Sequence, residues 1–221
     1  MRYLNKIVFI NSAAIRYSEV QLDGNIHLIG TQGVGKSTIL RAILFFYNAD
    51  TQRLGIPVEK KSYQDYYFPY ADSSIIYEVA REDGWFTVLS YKTMNRICYR
   101  FIASPYRPDL FIDEEGAPYP SDRIRSVLDK NGIKYSGAIS TYEEYRNILY
   151  GNSDNKRDYS CYSLMESGSY QNIIRTIQNV LLNSRLEADY IKQTIITSLN
   201  EADSVIDLSR YRSHLSCLLY T

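Results

Sequence analysis

No long apolar run, no surplus of one sign of charge and no cysteine cluster occur in this sequence, and each absence removes a class of protein. Lys plus Arg equals Asp plus Glu at 25 each, so no global basic field announces nucleic acid or an anionic membrane. Any contact with DNA has to be local or shared with a partner. Even Ile39 to Tyr47, rich in apolar residues, stops at Asn48, short of the roughly 20 residues that cross a bilayer. Met1 to Phe9 carries two basic residues and a short apolar run at Ile7 to Ile10 with no cleavage pattern behind it, which argues against export. Cys98, Cys161 and Cys217 lie far apart and form no C-x-x-C or Cys/His set with metal-ligand spacing, so they read as reduced thiols of a cytoplasmic protein. There is no internal repeat and no low-complexity tract, which leaves a solenoid without support.

What is present is enough chain, 221 residues, for one large domain or a domain with a smaller lobe, and an unusual 22 tyrosines. The tyrosines are scattered through segments of strand character, where β propensity accounts for them without base-stacking surfaces.

Lys6 to Ile10 and Ile15 to Leu22 read as two antiparallel strands, the second running into the turn Asp23-Gly24-Asn25. A third run, Ile26 to Ile29, leads straight into a glycine-rich loop. Lys36 to Tyr47 is apolar on nearly every face, the pattern of a helix packed inside a sheet-and-helix core. Asn48 to Tyr70, broken by Gly55, Pro57 and Pro69, reads as irregular surface chain near the loop.

A β-meander is expected next: Ser74 to Ala80, Trp85 to Tyr91 and Ile97 to Ala103, then a hairpin of Asp109 to Asp113 with Tyr119 turning at Glu115-Gly116. Asp122 to Asn131 and Thr141 to Tyr150 predict short helices, Gly151 to Asp158 a polar loop, and Tyr159 to Met165 a last strand. Beyond Gly168 the spacing is helical, and Ser204 to Leu219, with Leu208, Tyr211, Leu215 and Leu218 at steps of three and four, suggests the start of a coiled coil. The division expected is residues 1–170, with a β-lobe at about 74–120, and a helical segment at 171–221.

Gly30-Thr31-Gln32-Gly33-Val34-Gly35-Lys36-Ser37 fits G-x-x-x-x-G-K-[ST] in full, between an apolar run and a helix. Glycines allow backbone conformations closed to residues with a β-carbon and bring amide N–H groups against phosphate oxygens. The helix start adds the positive end of its dipole. Lys36 then reaches the β- and γ-phosphates of a nucleoside triphosphate such as ATP, the Ser37 hydroxyl ligates Mg²⁺, and Thr38 lies close enough to help.

Other candidates are weaker. Leu110-Phe111-Ile112-Asp113-Glu114 has the outline of a Walker B strand, whose Asp holds magnesium and whose Glu polarises water. Only three apolar residues precede Asp113, however, Pro108 blocks the run from behind, and Glu115-Gly116-Ala117-Pro118 reads as a turn, so a solvated hairpin tip is the favoured reading. Gln171, and less so Gln64, has the residue type of a γ-phosphate sensor. Arg41 lies one turn into the helix, where a solvated or ion-paired arginine is the ordinary case. His27 is expected to be a packed, hydrogen-bonded histidine within the pre-loop run.

The order of elements, from Ile15-Arg16-Tyr17 through Asn25-Ile26-His27-Leu28-Ile29 into GTQGVGKSTILRAI, resembles the N-terminal half of an SMC-like ATPase head, in the ABC-type branch of P-loop proteins. The tyrosine-rich meander and the helical segment Ile173 to Arg212 are most similar to the MukB, MksF and JetC kind, with RecF- and RecN-type ATPases as wider kin. The resemblance implies an α/β fold with a mixed core sheet, an antiparallel β-lobe and helices leading into a coiled-coil arm. It also implies ATP and Mg²⁺ at Gly30, Gly33, Gly35, Lys36 and Ser37, although Thr31, Gln32 and Val34 stand where such heads usually have Pro, Asn and Ser.

The signature motif, the convincing Walker B, the D-loop and the switch histidine of such heads are absent from this sequence, and the family carries them in a C-terminal half. The resemblance therefore implies half a head, with that C-terminal half, a second head subunit, a kleisin-like subunit and DNA as partners, and no membrane. Two other readings stay open: a self-sufficient nucleotide or small-molecule kinase, and a nucleotide-sensing module without turnover.

Overall fold

The computed structural model describes residues 2–24, 26–48, 62–94, 96–151 and 159–164, all within the first of two compact units, Met1–Leu182. The helical segment expected at 171–221 and the arm expected at Ser204 to Leu219 lie outside the described residues.

Five strands form one sheet: β1 (Tyr3–Ser12), β2 (Ile15–Gln21), β3 (Ser74–Arg81), β4 (Gly84–Thr93) and β5 (Arg96–Ile102). The order is β2-β1-β3-β4-β5, and every neighbouring pair is antiparallel. β2 and β3 both run against β1, so they are parallel to each other with β1 between them. Their connection carries the glycine-rich loop and helix α1 (Lys36–Asn48), which makes a split β-α-β unit. The strands read at 74–80, 85–91 and 97–103 are β3 to β5. They continue the N-terminal sheet through the β1–β3 pairing, from Tyr3 opposite Ala80 to Ile10 opposite Ser74. The described strands include no parallel neighbours, so the mixed core sheet stays an expectation.

Alternation along the strands divides the core in two. Ile7, Phe9, Ile75, Tyr77, Val79, Phe86, Val88, Tyr99 and Phe101 point to one face, beneath α1, α2 (Tyr63–Tyr67) and α4 (Tyr142–Leu149). Val8, Ile10, Ile76, Leu89, Tyr91 and Ile102 point to the other, beneath Leu110, Phe111 and helix α3 (Ser121–Lys130). β3 is therefore buried at nearly every position, as a strand covered on both sides must be. At β1 a bulge after Leu4 shifts the register and frees Asn5 to bridge neighbours: its Nδ2 donates to Glu78 Oε1 at 2.7 Å while its Oδ1 accepts from Gln21 Nε2 at 3.1 Å. The outer edge of β5 is covered by 134–139, with Ala103 N donating to Lys134 O and Tyr99 and Ile139 exchanging both backbone bonds.

Helix α1 sits on the first face through Ala42, Leu44, Phe45 and Phe46. It is held there by more than apolar contact. Tyr67 Oη donates to Thr38 O at 2.7 Å, Tyr77 to Ala42 O at 3.1 Å and Tyr145 to Phe46 O at 2.6 Å, one hydroxyl on each successive turn, and Tyr150 donates to Tyr47 O. The tyrosines thus have a second use besides strand propensity: a ring long enough to reach the helix backbone and a hydroxyl to end on a carbonyl.

Three expected elements differ. Ile26 to Ile29 pairs with no strand among the described residues. The stretch read as irregular up to Tyr70 contains α2, capped by Ser62, whose Oγ accepts from Asp65 N at 3.1 Å, and stacked through Tyr63 on Phe45 and Tyr67 at 4.4 and 4.3 Å. The strand expected at Tyr159 to Met165 is, over 159–164, a 3-10 turn (Ser160–Tyr162) that tucks Tyr159, Tyr162 and Leu164 under the first face. With the β5 edge already taken by 134–139, that segment ties to α4 instead, Leu164 N donating to Leu149 O at 2.6 Å.

Burial pushes the hydroxyls of Tyr63, Tyr77 and Tyr145 well above the ordinary tyrosine range. The unfolded chain ionises at about pH 10 while the folded chain keeps its protons, so stability is full below that pH and falls as pH rises beyond it. Tyrosinate absorbance and loss of circular dichroism are expected to rise together; tyrosines that titrate fully with the fold intact contradict the burial argument. Tyr145→Phe is expected to cost about 1 kcal/mol in urea denaturation.

Candidate functional site: a glycine-bent loop at the start of a buried helix

Residues 30–35 turn sharply between the unpaired segment 26–29 and α1. Gly33 and Gly35 have φ of +93° and +92°, in the region that disfavours a side chain. A β-carbon at Gly30 would lie 2.7 Å from Val34 Cγ2, so a side chain there would have to displace that exposed valine. Ile39 N donates to Gly35 O at 3.1 Å, the first bond of the helix. The amides of Lys36, Ser37 and Thr38 are therefore the donors that a helix start leaves without intrahelical partners. Lys36 arches back over the loop, its Nζ donating to Gly30 O at 2.6 Å and Thr31 O at 2.7 Å. Ser37 is exposed and Thr38 half-buried beside it.

These features suit an anion: a glycine-bent loop, the amides of a helix start and an ammonium lie together within residues 30–38. Around the β-carbon positions of Gly33 and Gly35 there is open space. Among the described residues no cluster of three His, Cys, Asp or Glu side chains is placed to hold a metal. The group of the loop suited to a magnesium ion is the Ser37 hydroxyl, which presupposes that phosphates complete the coordination.

The other candidates fall in different places. Asp113 closes the hairpin tip: its Oδ1 accepts from Glu115 N at 3.0 Å and Ala117 N at 2.7 Å, and Tyr119 N donates to Phe111 O at 2.8 Å. Leu110 and Phe111 pack into the second face of the sheet, whereas α1 covers the first. Asp113 and Glu114 are thus not brought to the loop through that packing, and Pro108–Leu110 is a 3-10 turn. Gln64 lies half-buried in α2, and Arg41 half-buried in α1. His27 is exposed, not packed, because the run that holds it joins no strand of the described sheet. Gln171 lies outside the described residues. Cys98 is buried and Cys161 exposed; Cys217 lies outside the described residues.

Two features near the loop carry no plain signature in the sequence. Tyr66, on α2, places its hydroxyl 3.2 Å from Thr38 Oγ1. Apolar side chains are also exposed in and just before the loop: Ile29 is 90% exposed and Val34 57%, with Ile26 also open. At the β1–β2 tip, where Asn11 and Ala13 take φ of 44° and 54°, a cleft of about 440 Å³ is walled by Arg16, Tyr70 and Asp72. Ser12 Oγ ties this tip to α2 through Tyr67 O at 2.8 Å.

The chain belongs to the DUF3584 family, described as a protein of unknown function, whose profile matches residues 12–215. No curated protein matches the chain. No described helix is long and apolar enough to cross a membrane.

Asp113→Ala removes two backbone bonds at an exposed tip and is expected to lower stability by about 1 kcal/mol in chemical denaturation. Nucleotide affinity, read by titration with a fluorescent ATP analogue, is expected to stay unchanged. A loss of magnesium-dependent affinity in that variant restores the Walker B reading of Asp113.

Proposed function

We propose that this chain is the ATP-binding N-terminal half of an SMC-like, ABC-type ATPase head, serving chromosome organisation or defence against plasmids or phage. The observation that carries the nucleotide part is the loop itself: two glycines at positive φ, a third where a β-carbon clashes, and Lys36 arched over them at the mouth of a buried helix. In this reading the amides of residues 30–38 cradle the phosphates, Lys36 exchanges its carbonyl partners for phosphate oxygens, and Ser37 holds magnesium, assisted by Thr38. Magnesium, when bound, neutralises phosphate charge.

The half-head part is supported by the exposed Ile26, Ile29 and Val34 and by the run 26–29, which pairs with no strand among the described residues. A strand laid beside Ile26 to Ile29 would satisfy its backbone and cover Ile29. A C-terminal half of the same head would supply it together with a signature motif and a Walker B carboxylate. A second head subunit, a kleisin-like subunit and DNA belong to the complete assembly, in the cytoplasm.

The chain alone is expected to bind Mg-ATP with little turnover, and hydrolysis is expected to appear when the C-terminal half is supplied. Lys36→Ala is expected to weaken ATP binding at least about 100-fold, a loss of roughly 2.7 kcal/mol, with the chain still folded without nucleotide. Steady turnover by the chain alone overturns the half-head part; wild-type chain that binds no ATP overturns the whole reading.

A further inference from the structure

We propose that Tyr66 is a nucleotide-contacting residue, its hydroxyl donating to the polyphosphate beside Thr38; the inference rests on the P-loop reading above. Among the described residues, five tyrosine hydroxyls reach α1. Four of them, on Tyr67, Tyr77, Tyr145 and Tyr150, belong to buried rings and end on backbone carbonyls, which is what a fastening contact requires. Tyr66 differs in both respects: its ring is 38% exposed, and its hydroxyl meets the Thr38 hydroxyl at 3.2 Å.

Thr38 lies in the first turn of α1, next to Ser37, with its amide among the helix-start donors. A contact between two hydroxyls is readily exchanged, since each group can donate or accept. An anionic phosphate oxygen is a stronger acceptor than either, so Tyr66 and Thr38 turn their protons toward it without moving their backbones.

The platform under Tyr66 is fixed. Ser62 caps α2, Tyr63 stacks between Phe45 and Tyr67, Asp65 pairs with Lys92 of β4 at 3.3 Å, and the Tyr67 hydroxyl is anchored on Thr38 O. Tyr67 packs edge-on against the Tyr66 ring, centroids 5.0 Å apart. A hydroxyl held so firmly above the first turn of a phosphate-binding helix costs little further ordering to use.

The test titrates Mg-ATP, through a fluorescent analogue, into the full chain and into Tyr66→Phe, Tyr67→Phe and Lys36→Ala. Tyr66→Phe is expected to bind about tenfold more weakly with an unchanged nucleotide-free melting temperature, whereas Tyr67→Phe is expected to lower that temperature. Equal affinity of Tyr66→Phe and wild type overturns the proposal while a dead Lys36→Ala leaves the P-loop reading standing. A melting temperature lowered in Tyr66→Phe as far as in Tyr67→Phe makes Tyr66 a structural strut and also overturns it. Wild-type chain that binds no ATP removes both.

Discussion

The position of α1 over the sheet is the constraint on which the rest of this molecule depends, and tyrosine hydroxyls fix it. Apolar burial alone lets a helix slide or rotate by a fraction of a turn at modest cost, because the hydrophobic effect is not directional. Hydroxyls that must meet the carbonyls of Thr38, Ala42 and Phe46, one per turn, remove that freedom. Each bond contributes only about 1 kcal/mol net, yet together they fix both the rotation and the height of the helix. Since the glycine-bent loop continues directly into α1, locking the helix also locks where the amides of Lys36 to Thr38 point.

The two faces of the sheet are finished by different chemistry. On the first, aromatic rings pack in series, Phe45 on Tyr63 on Tyr67 and Tyr99 on Tyr145, with the hydroxyls of Tyr67 and Tyr145 spent on the helix backbone. On the second, Arg100 is 4% exposed, its guanidinium lying 5.9 and 5.3 Å from the rings of Tyr91 and Tyr135. Aromatic faces take the place of a carboxylate there, which suits a weakly hydrated, delocalised cation. Replacing that arginine by lysine would not preserve the contact.

Much of this was legible in the sequence where the signal is local. The P-loop spacing, the strand-forming runs of β3 to β5, the short helices near 121 and 142, the second capped by Thr141, and the turn at Glu115-Gly116 each depend on residues a few positions apart. What was not legible depends on distant partners. Ile26-His27-Leu28-Ile29 has the same apolar pattern whether or not a neighbouring strand exists, so its unpaired state and the exposure of His27 carry no mark. The five-residue helix at Tyr63–Tyr67 is too short for periodicity and owes its existence to stacking on Phe45. Tyr159 to Leu164 looked like a strand because tyrosine favours strands, and the occupied edge of β5 decided otherwise. The tyrosine count itself was explained by β propensity, which omits the hydroxyls.

The split connection between β2 and β3 has a consequence for how the chain acquires its shape. β1 and β2 can zip together as soon as both exist, but the other margin of β1 is filled only by β3, after the loop, α1 and α2 have intervened. That closure is a sequence-distant pairing whose entropy must be met before its contacts repay it. Until β3 arrives, the nascent hairpin presents Ile7 and Phe9 on a bare two-stranded ribbon, and α1 has no Tyr77 to seize its backbone. Placement of the glycine-bent loop is thus tied to the pairing at the middle of the sheet, so a lesion in β3 such as one at Tyr77, which holds Ala42 O, would act on that loop through the middle of the helix.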